Sequence, residues 1–162
     1  MNTLLSVLLR LPSVLFYSFI NNITTFKVKL HDLSSRIPAK AEPGSAGYDI
    51  FSNEHVVVAQ GTRKLISTGI SIEVPDYYYV RVAPRSGLAC KGIDIGAGVV
   101  DSSYRGEVKV LVLNNSTEPF EINKYDKIAQ LILERCGNAK IELTDTLSDS
   151  IRGSGGFGST GK

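Results

Sequence analysis

From Phe26 onward, apolar residues recur at every second position in short runs broken by turn residues, and no long helical period appears beyond residue 25. Phe26, Val28 and Leu30 alternate with Lys27 and Lys29, the pattern of a half-buried strand. A loop rich in Ser, Pro, Ala and Gly follows over residues 34–45 and leads into Ala46-Gly47-Tyr48-Asp49-Ile50. Val56-Val57-Val58 is a β-branched run closed by a Gln60-Gly61 turn. Ile70, Ile72 and Val74 share a face that Pro75-Asp76 ends. Tyr78, Val80 and Val82 then face away from Arg81 up to Pro84. Val108, Val110 and Val112 lie on one face of a run whose other face carries Leu111 and Leu113, so that strand asks for cover on both sides. Asn114-Asn115-Ser116 reads as a turn, Phe120 and Ile122 as strand, Lys127 to Leu133 as a longer apolar run, and Ala139 to Leu143 as a last strand. Short strands at roughly 8–12-residue spacing predict an all-β barrel or sandwich.

The chain has 162 residues, enough for one domain with its own core. Two cysteines, Cys90 and Cys136, form no disulfide framework and no zinc set, which suits an intracellular protein in the cytoplasm or nucleus. Two histidines, His31 and His55, supply a Ser-His-Asp triad or a multi-histidine metal site poorly. A net charge of +2 does not by itself argue for nucleic acid. Residues 1–25 stand apart: apolar, free of acid, and interrupted by Arg10 and Pro12. They fall short of an unbroken membrane span and lack a secretory signal's layout. They read as a segment for organelle targeting or membrane contact, or as a dispensable extension.

Chemistry concentrates between Pro84 and Val110. Pro84-Arg85-Ser86-Gly87 offers a turn, a short helix that Ser86 could cap, and a positive charge, all suited to an anion. Gly96-Ala97-Gly98 bares a backbone edge that could pair with a base, although a plain glycine turn would look the same. Asp101 is the best candidate general base, against the ordinary alternative of a side-chain cap in a turn. Tyr104, three residues on, could lie flat against a sugar and block a 2′-hydroxyl. Gln130 is polar within an apolar strand and needs a partner if buried, such as a phosphate or water.

The tail from Arg152 to Lys162 is half glycine. Its Gly156 to Lys162 run fits the start of a P-loop, but the chain stops before the required hydroxyl residue and helix, so that reading fails. What remains is a set of amides and hydroxyls around Gly158, Ser159 and Thr160, a charge at Arg152, and a lone ring at Phe157 suited to stacking on a base.

These segments resemble the trimeric deoxyuridine triphosphate nucleotidohydrolases, the dUTPases. Five motifs stand in family order: Ala46-Gly47-Tyr48-Asp49; Pro84-Arg85-Ser86-Gly87-Leu88-Ala89; Gly98-Val99-Val100-Asp101 with Tyr104-Arg105-Gly106; Asp126-Lys127-Ile128-Ala129-Gln130-Leu131; and Arg152-Gly153-Ser154-Gly155-Gly156-Phe157-Gly158-Ser159-Thr160-Gly161. The resemblance implies a distorted jelly-roll subunit over residues 26–151, a glycine-rich lid over 152–162, and a homotrimer that exchanges its tails and shares its active sites. It implies hydrolysis of dUTP to dUMP and pyrophosphate, with Asp101 activating a water for attack on the α-phosphorus. The segment of Gly96, Ala97, Gly98, Val99 and Val100, with Lys109 at its edge, would receive uracil. Tyr104 would support deoxyribose, and Arg85, Ser86, Gly87 and Gln130 would hold phosphates. Arg152, Phe157, Gly158, Ser159 and Thr160 would close over the substrate. Mg2+ would ride mainly on the phosphates and waters, with Asp49 helping indirectly or serving structure alone. Two departures stand out. Tyr125 and Lys127 replace the usual Gly and Arg around Asp126, and Lys109 replaces a smaller residue.

A dCTP deaminase of the same fold fits the Arg85-Ser86-Gly87 run and the tail less well. A non-catalytic nucleotide-responsive adaptor predicts loss of the base or lid, yet both are present.

Overall fold

The computed structural model describes residues 25–156. The readings placed on residues 1–24 and on Phe157, Gly158, Ser159 and Thr160 lie outside them. Eleven strands and one short helix follow in order: β1 Lys27–Leu30, β2 Tyr48–Phe51, β3 Val56–Val58, β4 Arg63–Ile66, β5 Ile70–Glu73, β6 Tyr78–Ala83, α1 Ser86–Ala89, β7 Ile93–Gly96, β8 Val99–Val100, β9 Val110–Asn114, β10 Phe120–Ile122 and β11 Lys127–Arg135. Every strand pair is antiparallel. The largest sheet runs β2-β11-β6-β8, a second runs β4-β9-β7, and β1-β5 and β10-β3 form two-stranded ribbons. The all-β jelly-roll expectation holds.

The period-two pattern explains the core. Val108, Val110 and Val112 are fully buried with Ile66, Ile70, Ile93, Ile122, Ile128 and Leu131. Each such side chain withdrawn from water contributes about 1.5–3 kcal/mol. Along β9, Leu111 and Leu113 point the other way and stay half-exposed; Leu111 pairs in register with Leu65, which is also exposed. Within the chain this second apolar face therefore has little cover.

One expected strand is absent, and one strand is present that the sequence pattern did not reveal. Ala139 to Leu143 forms no strand; residues 136–154 run exposed, with Ile141, Leu143, Leu147 and Ile151 turned to solvent. No partner strand lies beside it among the described residues, and alternation alone cannot make a ladder. In addition, Arg63–Ile66 is a strand that its charged outer residues hid, because only Ile66 reaches the core.

Candidate active site

β6 delivers the chain to Pro84, where it turns into α1. The residue preceding the helix is Arg85, in extended conformation, and its side chain makes no cap. Ser86 is thus the first helical residue rather than the cap the sequence suggested. The amides of Ser86 and Gly87 head the open first turn, the place where a helix leaves N–H groups unpaired. Gln130, on β11 beside Ala83, donates from Nε2 to the Pro84 carbonyl at 2.9 Å. Its partner is therefore backbone. A Cβ on Gly47 would stand 2.6 Å from Gln130 Oε1, so glycine there makes room for the amide. Asp49, Arg85, Ser86, Gly87, Leu88, Lys91 and Gln130 line an open cleft of about 420 Å³.

Asp49 holds this cleft's charges in place. Its buried carboxylate lies 3.0 Å from Arg85 Nε through Oδ1 and 2.8 Å from Lys127 Nζ through Oδ2. The lysine sits off hydrogen-bond geometry, and Oδ2 is left without a directional donor. Arg85 Nη1 also donates to the Lys127 carbonyl at 3.1 Å. An arginine in place of Lys127 could meet the carboxylate with a planar fork; a lysine meets it as a point charge.

The turn feeding Lys127 carries a backbone cost. Tyr125 has φ of 75°, a left-handed conformation natural to glycine, and its ring lies under Arg36 with 4.1 Å from the guanidinium carbon to the ring centre. The turn is held by Tyr125 N–H to Ser52 O and Asn123 N–H to Asp126 Oδ2, both 2.8 Å.

The second cleft lies elsewhere in the chain. Leu65, Ala97, Val99, Val100, Asp101, Tyr104, Glu107, Val108 and Lys109 enclose about 260 Å³. β7 and β8 do not pair with each other; they belong to different sheets, and the Gly96–Gly98 link crosses between them rather than closing a hairpin turn. Ala97 takes the left-handed φ of 46°. A Cβ on Gly98 would stand 2.8 Å from the Val82 carbonyl, and the Gly98 carbonyl accepts Val82 N–H at 2.8 Å. Gly96 and Gly98 thus shape the crossing, while Ala97, Val99 and Val100 line the cavity.

Asp101 follows β8 directly. Its carbonyl accepts Tyr104 N–H at 3.1 Å, and its exposed carboxylate has no side-chain partner among the described residues. Tyr104 folds over Gly106, where a Cβ would stand 2.4 Å from the hydroxyl oxygen, and that hydroxyl donates to the Glu107 carbonyl at 3.0 Å. Glu107 and Lys109 were not linked by sequence reading. Their two-residue spacing on a strand-like segment, which puts both on one face, was the available signal. Burial pushes the Glu107 carboxyl up. Hydrogen bonds from Ser67 and the Gly69 amide, with the charges of Lys109 and His31, bring it below the usual glutamate range.

Arg152 lines neither cleft; it sits in an exposed turn, donating to the Gly155 carbonyl at 2.8 Å. No group of three His, Cys, Asp or Glu that could hold a metal exists among the described residues. Asp49, the residue given an indirect metal role, has both oxygens turned to cations. Among the described residues the side chains build no cage for Mg2+.

A family model described as dUTPase matches residues 34–161. This chain belongs to the dUTPase family. Deoxyuridine 5′-triphosphate nucleotidohydrolases of Candida albicans and Saccharomyces cerevisiae are 50% and 48% identical to it. The alignments cover 85% and 83% of this chain and 89% and 93% of those proteins. Among solved structures, a Staphylococcus bacteriophage 80alpha dUTPase with dUpNHpp superposes with a TM-score of 0.81 at 27% identity, over 85% of this chain and 99% of that one. Two dUTPase motifs carry the first cleft, through Arg85-Ser86-Gly87 and Gln130, and Asp49 of a third braces it. The motif ending in Tyr104-Arg105-Gly106 carries the second.

Proposed function

We propose that the chain hydrolyses dUTP to dUMP and pyrophosphate, limiting uracil in DNA and supplying dUMP for thymidylate synthesis. The observation that carries the mechanism is Asp101: a carboxylate with no side-chain partner among the described residues, at the wall of a cavity that also presents a ring. Uracil enters against Ala97, Val99 and Val100, and deoxyribose lies at Tyr104. Asp101 accepts a proton from a water placed for in-line attack at the α-phosphorus, with pyrophosphate as leaving group. No covalent nucleophile is needed.

The phosphates belong to Arg85, Ser86, Gly87 and Gln130. That cleft shares no lining residue with the Asp101 cavity, which supports a site completed by a neighbouring subunit. The uncovered Leu65, Leu111 and Leu113 face and the exposed Ile141, Leu143 and Leu147 support a homotrimer with exchanged tails. In that assembly the segment from Arg152 through Phe157, Gly158, Ser159 and Thr160 closes over base and phosphates. Magnesium, arriving on the triphosphate, supplies charge neutralisation.

The test is to offer dUTP, dCTP, dTTP and UTP with magnesium and score pyrophosphate and ammonia. Pyrophosphate from dUTP alone supports the proposal. Ammonia from dCTP would replace it with a deaminase, and no product from any of the four would leave a binding protein.

A further inference from the structure

Two acids and one lysine line the same small cavity: Asp101, Glu107 and Lys109. The lysine is half-exposed, and its side chain borders the same space as both acids. It lies 3.6 Å from Glu107 Oε2, while Asp101 has no side-chain partner among the described residues. Glu107 itself is fixed. Its Oε1 accepts Ser67 Oγ–H at 2.5 Å and Gly69 N–H at 2.9 Å. The backbone around it is stitched to the same stretch: Val108 N–H donates to the Ile70 carbonyl and Ser71 Oγ to the Gly106 carbonyl, at 2.8 and 2.9 Å. Arg105, the other cation of this loop, is occupied by the carbonyls of Ser102 and Tyr104 and lies 4.0 Å from Glu73. His31 is held by Ser71, with Nε2 and Oγ 2.8 Å apart.

We propose that Glu107 is a positioning residue that holds the Lys109 ammonium away from Asp101, keeping that carboxylate free for the attacking water. A lysine paired to Asp101 would stabilise its charged form and occupy the oxygens that must accept the proton. Glu107 prevents this by offering the ammonium an anchored partner of equal charge. The inference rests on the hydrolase reading above.

The experiment compares dUTP turnover in the full chain and three variants. Glu107→Gln is close in shape and can keep the Ser67 and Gly69 bonds through its amide oxygen, but it loses the charge that holds Lys109. It is expected to lose about tenfold in kcat with KM within about threefold, the size of effect one misplaced charge-assisted contact produces. Glu107→Gln/Lys109→Ala is expected to run faster than Glu107→Gln alone, because removing the freed lysine restores Asp101. Ser67→Ala keeps the Glu107 charge and is expected to stay within about threefold of the parent. The proposal is overturned if the double variant is no faster than Glu107→Gln, if Glu107→Gln matches the parent, or if it does not fold. A tenfold loss in Ser67→Ala also overturns it, by making the strap rather than the charge the active element. A parent that releases no pyrophosphate from dUTP would instead sink the hydrolase reading.

Discussion

The Asp49 carboxylate meets the Arg85 guanidinium at 3.0 Å, joining β2 to the residue just before α1. Lys127 closes on its other oxygen at 2.8 Å, so one buried acid fixes two cations beside the proposed phosphate cleft. Asp49→Ala is expected to raise KM for dUTP about tenfold and to cost about 2 kcal/mol. Both cations are partly solvated, so the loss is smaller than for a fully buried pair. Steady-state kinetics and urea unfolding check the two halves. Unchanged KM would remove Asp49 from the cleft's support.

Tyr125 stores strain at a left-handed φ and recovers part of it through Arg36. That conformation costs a non-glycine residue about 1–2 kcal/mol, and a half-exposed cation–π contact returns about 0.5–1 kcal/mol. Tyr125→Gly is expected to fall within about 1 kcal/mol of the parent. Tyr125→Val, which keeps the strain and loses the ring, should lose about 2 kcal/mol. Equal stabilities for the two variants would contradict this.

Glu107 makes stability pH-dependent in a defined direction. Its folded-state carboxyl sits below the usual glutamate range, so the stabilisation is fully present above the ordinary value and is lost as pH falls through the depressed one. Unfolding free energy measured from pH 7 downward should fall less steeply in Glu107→Gln than in the parent once pH drops below about 4.5. Parallel curves would refute the assignment.

Residues 137–156 are mostly exposed, and none of them lines either cleft. Deleting residues 152–162 should therefore leave thermal stability within about 2 °C while lowering kcat/KM at least about a hundredfold. Undiminished turnover would end the lid role.

Much of the fold was legible because its core strands alternate. Val108, Val110 and Val112 were read as one face and are all buried, and β11 was read from its apolar run. β4 escaped because Arg63, Lys64 and Leu65 are all exposed, leaving one core residue to signal it. Ala139 to Leu143 misled for the opposite reason, since a strand-like pattern cannot supply its own hydrogen-bonding partner. At the site, residue types marked Arg85, Asp101, Tyr104 and Gln130. Long-range pairings such as Asp49 with Arg85, or Glu107 with Ser67, join positions 36 and 40 residues apart, and no local spacing reveals them.

Asp101 carries the central claim. The most direct measurement is single-turnover release of pyrophosphate from dUTP by Asp101→Asn beside the parent, with nucleotide affinity measured on the same samples. The expected result is affinity within about threefold and a rate reduced about a thousandfold, the scale on which a lost general base is felt. A variant that binds dUTP and hydrolyses it at the parental rate would contradict the account.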